Sequence, residues 1–297
     1  MLRELLAEIL PTDTVVTAIV PRTGGQLSTV HEIRLAGAAP LIVKHYAPEW
    51  RWKQAKEVHM YRLLAEHGVD AVPRVVHVDA DRATTVLTML PGRPMSEAAL
   101  PPAEVRAAYH RIGALLAAVH RITQPAYGYL TTEILDPLPD NTAYMRRQFT
   151  KKLAEFADLG GPADVHDAVR DAVAARDGVL AACTGAVLCH NDLHEGNVLV
   201  DDAGTVTGFV DVENAIAADP LVDLAKTVQY DLDRSAAKQA GLLAGYGPLP
   251  TDGAARLALY RLYHALELWD WFASIGNREP LPGITADLRD LAQQSTT

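Results

Sequence analysis

The chain has 297 residues, 49% hydrophobic and 22% charged, with a formal net charge of −10 from 27 basic and 37 acidic residues. That length supports one large or two closely packed domains, and the acidic balance argues against nucleic acid as a partner while drawing cationic small molecules. No apolar run is long enough to span a bilayer, Glu4 and Glu8 interrupt the apolar pattern of MLRELLAEILPTD, and Cys183 and Cys189 form no metal-ligand pattern, so a cytoplasmic protein without disulfides or membrane contact is expected.

A short N-terminal helix is followed by three β-rich runs, TVVTAIVP (14–21), STVHEIRLAG (28–37) and APLIVKHY (39–46). The first two flank the turn RTGGQL. EWRWKQAKEVHMYRLLAEHG (49–68) carries apolar residues at helical spacing, and Gly68 suits its C-terminal cap. VPRVVHVDADRATTVLTML (72–90) predicts a hairpin that turns at DADR. LPGRPM (90–95) breaks the pattern, and long helices are predicted beyond it, over 101–122, 144–156 and 163–182. β character returns briefly in AVLCH, NVLV and TVTGFVDV, before helices over 220–233 and 251–275. The expected fold is α+β in two lobes. An N-terminal lobe over 1–90 has a small antiparallel sheet and one helix, 91–95 is a hinge, and a larger, mostly helical lobe covers 96–297. A cleft between two such lobes is a usual place for a ligand.

One segment is out of keeping with core or ordinary surface. CHNDLHEGNVLV (189–200) sets two histidines, two acids and two asparagines before an apolar strand. Phosphoryl transfer from a nucleotide needs such parts: a carboxylate for the acceptor hydroxyl, oxygen ligands for Mg²⁺, and a lysine on the phosphates. Asp192 offers the carboxylate and Asn197 a neutral Mg²⁺ ligand, with Gly196 easing the backbone between them. TVTGFVDVEN delivers Asp211 at the end of the next apolar run, fourteen residues beyond Asn197. The turn DDAG makes the two runs a hairpin, which brings Asn197 and Asp211 together as metal ligands. A lone Asp after a strand is ordinarily a turn or a helix cap; the surrounding constellation favours the metal.

HNDLHEGNVLV followed by FVDVENAIAADPLVDLAK resembles the catalytic segment of the aminoglycoside phosphotransferase and choline kinase family, small-molecule kinases with the protein-kinase-like fold. The resemblance implies that Asp192 is the catalytic base and that Asn197 and Asp211 hold Mg²⁺. It makes His190 a structural member of the loop, Asp223 a brace from the following helix, and Glu213 a support at the metal end. Asn191 stands where the family has glycine, and Asn tolerates left-handed backbone angles better than most residues. In the N-terminal lobe the resemblance makes Lys44 the phosphate-binding lysine and Glu57 its partner, against the plain reading of an edge-strand lysine. RTGGQLST (22–29) becomes the loop over the phosphates, with Gly24 and Gly25 allowing close approach and Ser28 or Thr29 donating a hydrogen bond. At the hinge, the Thr88 C=O and the Leu90 N–H would read the adenine edge. His120 is read as structural.

The expected activity is ATP-dependent O-phosphorylation, with GTP as an alternative donor. The expected acceptor is an aminoglycoside or related cationic antibiotic, which would make the role antibiotic resistance; an amino sugar or a choline-like amino alcohol is the alternative. RLYHALELWDWFASIG (261–276) puts Tyr263, Glu267, Asp270, Trp271 and Ser274 at helical spacing, and Glu267, Asp270 and Trp271 are candidates to hold a cation by charge and cation–π contact. Trp269 is read as core, and Glu133 and Asp136 are weaker acidic candidates. Two other classes stay open: a nucleotide-binding pseudokinase, opposed by the presence of Lys44, Asp192, Asn197 and Asp211 together, and a metal hydrolase on His190, Asp192 and His194. A protein kinase is disfavoured because H-R-D, D-F-G and A-P-E are missing.

Overall fold

The computed structural model describes residues 2–22, 28–229 and 235–293. In chain order its elements begin α1 (Leu2–Ile9), β1 (Val16–Arg22), β2 (Ser28–Leu35), β3 (Ala38–Tyr46), α2 (Arg51–Glu66), β4 (Val75–Asp79), β5 (Thr84–Thr88) and β6 (Arg93–Pro94). Then come α3 (Pro102–Val119), β7 (Thr123–Gln124), β8 (Tyr127–Leu130), β9 (Ile134–Leu138), α4 (Asn141–Asp158), α5 (Ala163–Ala175) and α6 (Asp177–Leu180). The chain continues through β10 (Ala186–Cys189), β11 (Val198–Val200), β12 (Val206–Phe209), β13 (Ile216–Ala218), α7 (Pro220–Gln229), α8 (Ala236–Tyr246), α9 (Gly253–Ser274) and α10 (Leu281–Gln293).

The chain forms two compact units. The first holds 1–99, 131–133 and 195–213; the second holds 100–130, 134–194 and 214–297. A division drawn along the sequence at 91–95 does not express this, because the hairpin β11–β12, about a hundred residues further on, belongs to the first unit.

In the first unit an antiparallel sheet runs β1-β2-β3-β5-β4. Leu5 and Leu6 of α1 pack on Ile33, Val43 and Val86 of three of its strands. β3 is an interior strand: Lys44 lies opposite Val30 on one side and Thr85 on the other. It is therefore not the edge lysine that the plain reading allowed. α2 ends where Gly68 takes a left-handed φ of 73°, so that the Val69 N–H reaches the Leu64 carbonyl at 2.9 Å. A second small sheet runs β12-β11-β6.

The second unit is mostly helical around the sheet β7-β10-β13-β8-β9. Helices α3 and α8 touch backbone to backbone: a Cβ on Gly113 would stand 2.1 Å from the Leu242 carbonyl oxygen, and one on Gly245 1.8 Å from that of His110. Asp219 begins α7 by accepting the Leu221 N–H at 2.9 Å, with Pro220 at the first helical position, where its missing N–H costs nothing. Arg256 and the Tyr260 hydroxyl of α9 each reach the other oxygen of Asp219 at 2.6 Å, and all three residues are buried. That contact fixes α7 against α9, the two helices that carry much of the site described next.

Candidate active site

In the first unit, β3 and α2 meet the end of β12 at a cluster of charges. Lys44 Nζ donates to Glu57 at 2.9 Å, to Asp211 at 3.0 Å and to Glu213 at 3.2 Å. The Tyr46 hydroxyl donates to Glu57 at 2.7 Å and lies 3.0 Å from Glu213, and Lys53 donates to Glu213 at 3.2 Å. Burial alone disfavours a charged lysine, but Glu57 and Asp211 outweigh it and hold the Lys44 ammonium well above the ordinary lysine value. Asp211 has a φ of 65°, a left-handed angle that costs a non-glycine residue energy and marks sites held by their surroundings. Its N–H donates to the Tyr61 hydroxyl at 3.1 Å, one turn beyond Glu57 on α2. Asn197 is buried, and its carbonyl oxygen accepts the Val210 N–H at 2.9 Å, so the hairpin puts the backbones of 197 and 210–211 side by side.

In the second unit the loop after β10 is fixed by Asp223. The N–H groups of His190 and Asn191 donate to its two carboxylate oxygens at 2.6 and 2.7 Å, and His120 Nε2 lies 3.2 Å away. Burial works against a charged Asp223, yet the bonds from His120 and the loop prevail and hold its carboxyl below the usual aspartate value. His190 Nδ1 accepts the Asp192 N–H at 3.2 Å, and Asp192 Oδ2 accepts from Asn214 at 2.9 Å. The left-handed position in this loop is Asn191, with φ 61°; Gly196 is not among the left-handed residues. The Asn191 side chain is also engaged, donating to the Asn214 carbonyl at 3.1 Å and lying 3.4 Å from Lys226.

Asn191, Asp192 and Asn214 open on a cavity of about 510 Å³ within the second unit. Its wall includes Glu267 and Trp271 of α9, Lys152 of α4 and Lys226 of α7. Trp271 is 52% exposed, a broad apolar face on that wall. Glu267 lies 2.6 Å from His264 Nδ1, 3.2 Å from the Tyr263 hydroxyl and 3.4 Å from Lys226. Burial opposes the charge on Glu267, but Lys226 and His264 override it and keep the carboxyl far below its usual value.

The sequence expectations meet this geometry unevenly. Lys44, Glu57 and Asp211 come together, Asn197 joins them through the hairpin, and Asp192 stands on the cavity. Glu267 and Trp271, four residues apart, share one helix face. Asp270, expected on that face, does not line the cavity; it turns away and lies buried, 3.6 Å from Lys152. Glu133 and Asp136 are exposed and outside it, and Trp269 is core, its indole N–H donating to Thr285 at 3.0 Å. Thr88 closes β5 and gives its N–H to the Arg74 carbonyl, while the N–H of Leu90 meets no acceptor among the described residues. Ser28 opens β2 opposite Tyr46, whereas Gly24, Gly25 and most of the proposed phosphate loop lie outside the described residues. Among the described residues, His190, Asp192 and His194 do not converge as metal ligands; Glu57, Asp211 and Glu213 do, and so do the buried His120, Cys189 and Asp223. Sequence reasoning missed Lys53, Lys152, Asn214 and Lys226. Asn214 and Lys226 left a faint signal, closing the quoted stretches TVTGFVDVEN and FVDVENAIAADPLVDLAK, but Lys53 and Lys152 sit on helices with nothing to mark them.

The family model described as the phosphotransferase enzyme family matches residues 18–260. Among solved structures, a candidate fructosamine-3-kinase from Thermobifida fusca is 21% identical with a TM-score of 0.71, covering 99% of this chain and 97% of that one. The aminoglycoside phosphotransferase APH(4)-Ia, in a ternary complex with AMP-PNP and hygromycin B, is 16% identical with a TM-score of 0.73, covering 99% and 98%. The ADP-bound aminoglycoside phosphotransferase APH(2'')-Ib is 17% identical with a TM-score of 0.69, covering 98% and 96%. At such identities the likeness establishes the fold, the protein-kinase-like α+β architecture expected from the sequence. No curated protein matches the sequence.

Proposed function

This chain belongs to the phosphotransferase enzyme family, and from that premise we propose that it transfers the γ-phosphoryl group of ATP, with GTP as an alternative donor, to a hydroxyl of a small molecule. The observation that carries the reading is Lys44, a buried cation bound by Glu57, Asp211 and Glu213 on an interior strand. A purely structural ion network has no need of a third acid on a left-handed backbone.

The roles follow from the chemistry. Lys44 steadies the phosphate chain, and Glu57 with the Tyr46 hydroxyl orients Lys44. Asn197 and Asp211 supply oxygen donors, the set that Mg²⁺ prefers, and the ion would neutralise charge on the phosphates. The Leu90 N–H, the Thr88 carbonyl and the Ser28 hydroxyl are proposed nucleotide contacts. Asp192, aligned by Asn214, takes the proton of the acceptor hydroxyl. The new bond joins the acceptor oxygen to the γ-phosphorus as the bond to the ADP oxygen breaks.

Two acceptor classes are proposed. A cationic antibiotic is supported by the net charge of −10, by Glu267 and Trp271 on the cavity, and by the hygromycin B bound to one structural relative. A hydroxylated metabolite is supported by Lys152 and Lys226, which occupy the same wall. No helix among the described residues is long and apolar enough to cross a membrane.

The test is ADP release with Mg²⁺ and ATP across aminoglycosides, amino sugars, sugar acids and amino alcohols. Acceptor-dependent release that falls about 10²–10⁴-fold in Asp192→Ala, with ATP affinity kept, is expected. Asp211→Ala should lose Mg²⁺-dependent ATP binding as well. Full turnover in Asp192→Ala would refute the base assignment, and a wild-type chain that binds neither ATP nor GTP would refute the kinase reading.

A further inference from the structure

The loop that carries Asp192 leaves β10 beside the segment that leads into β13. The antiparallel register of the two strands sets Val187 opposite Ala218 and Cys189 opposite Ile216. Carried two residues further, that register sets Asn191 opposite Asn214. There the backbone leaves the strand: Asn191 has a φ of 61°, and its N–H goes to Asp223 at 2.7 Å. Its side chain takes up the pairing instead, with Nδ2 donating to the Asn214 carbonyl at 3.1 Å. The other end of the carboxamide, Oδ1, lies 3.4 Å from the Lys226 ammonium. A carbonyl on one side and an ammonium on the other fit only this orientation of the amide.

Asn214 passes the contact on. Its backbone is held by Asn191, and its own Nδ2 donates to Asp192 Oδ2 at 2.9 Å. Residue 191 is thus bound to residue 214 and residue 214 to residue 192, a ring closed by the peptide bond between 191 and 192. Such a ring limits the directions in which the Asp192 carboxylate can turn. Glycine, which the resembled family has at position 191, accepts the left-handed angle but has no side chain to close the ring.

We propose that Asn191 is a positioning residue for phosphoryl transfer: through Asn214 it holds the Asp192 carboxylate toward the acceptor hydroxyl, in the cavity that all three residues line. The proposal rests on the kinase reading above and adds to it a residue that acts on the base through another side chain. A base that is slightly misplaced loses rate without loosening the bound ligand, so the effect belongs in kcat.

The test compares Asn191→Gly, which keeps the left-handed backbone, with Asn214→Ala and with the double variant. Each is assayed for ADP release with Mg²⁺, ATP and the acceptor of highest turnover in the panel above. Asn191→Gly should lower kcat about tenfold, the effect of one hydrogen bond, with acceptor KM and ATP affinity held within about twofold. Added to Asn214→Ala, the same change should cost less than about twofold, because the link it removes no longer leads to the base. An unchanged kcat overturns the proposal. So does a raised acceptor KM at constant kcat, which would make Asn191 a pocket residue, and so do single effects that multiply in the double variant. The side-chain amide protons of Asn214, identified by NMR through their loss in Asn214→Ala, read the link without an acceptor. They should exchange with water faster in Asn191→Gly, and an unchanged rate overturns the proposal as well. The kinase reading fails separately, in a parent chain that binds neither ATP nor GTP.

Discussion

Lys44 in the first unit and Lys152 in the second are both lysines held by acids, but their surroundings differ in balance. Around Lys44 three acids, Glu57, Asp211 and Glu213, meet two lysines, Lys44 and Lys53, in four ion pairs of 2.9 to 3.2 Å. Around the cavity two lysines, Lys152 and Lys226, and two acids, Asp192 and Glu267, share the described lining, with Glu155 2.6 Å from Lys152. The first arrangement gathers more acids than lysines among the paired residues, a balance that suits a divalent cation; the second sets both signs of charge on one wall. One chain thus uses the same two residue types in two different balances.

The strongest way to break that contrast is Lys44→Met. It removes the cation from Glu57 and Glu213, both buried, and breaking a buried pair in this way costs about 3–5 kcal/mol. Chemical denaturation should show a loss of that order, and ADP release should fall about 10²-fold or more. A variant as stable as the parent would mean that the cluster is not the closed network described.

Next in size is Asp223→Ala, which tests whether the two regions are separable. The variant leaves the His190 and Asn191 N–H groups without their acceptor, at about 1–3 kcal/mol for each buried group. Phosphoryl transfer should drop with the loop, yet ATP affinity should hold within about threefold, because the proposed nucleotide contacts lie in the other unit. Parallel loss of ATP affinity in calorimetry would show that the loop and the Lys44 cluster are one energetic unit.

The difference between the regions also explains what the sequence made legible. The Lys44 cluster was readable because strands deliver its residues at fixed offsets: Lys44 interrupts an apolar strand, and Asn197 and Asp211 are spaced by a hairpin. The cavity wall comes from α4, α7 and α9, whose approach depends on buried contacts such as Arg256–Asp219 that no local pattern announces. Periodicity found Glu267 and Trp271 but could not tell that Asp270, only three residues after Glu267, turns into the protein. The strands β7, β8, β9 and β13 are two to five residues long, too short for alternation to register, and they escaped the reading. Helix α8 escaped for another reason: the glycines that let it touch α3 lower its helical signal. The helix expected over 163–182 breaks at Arg176, where φ falls to −118°. Asn191, by contrast, was readable as tolerating a left-handed angle because it stands where the resembled family has glycine, and its φ of 61° agrees.

The smallest effect sharpens the contrast by pH. Asp270 is buried behind Lys152, 3.6 Å from its ammonium, with neither carboxylate oxygen in a hydrogen bond among the described residues. Burial pushes its carboxyl up from 3.8 to about 7, against the pull of Lys152 and with the repulsion of Glu155 added. Its folded value therefore lies above its unfolded value. Between about pH 4 and pH 7 the folded chain keeps a proton that the unfolded chain has released, so this residue's contribution to stability falls as pH rises through that window. Asn keeps the shape and cannot ionise. Asp270→Asn should leave the melting temperature near that of the parent at pH 4 and raise it by a few degrees at pH 8, the gap widening between those limits and then levelling off. A gap that stayed constant with pH would mean that Asp270 is ionised throughout and adds a second counterion to the Glu155 that already pairs with Lys152.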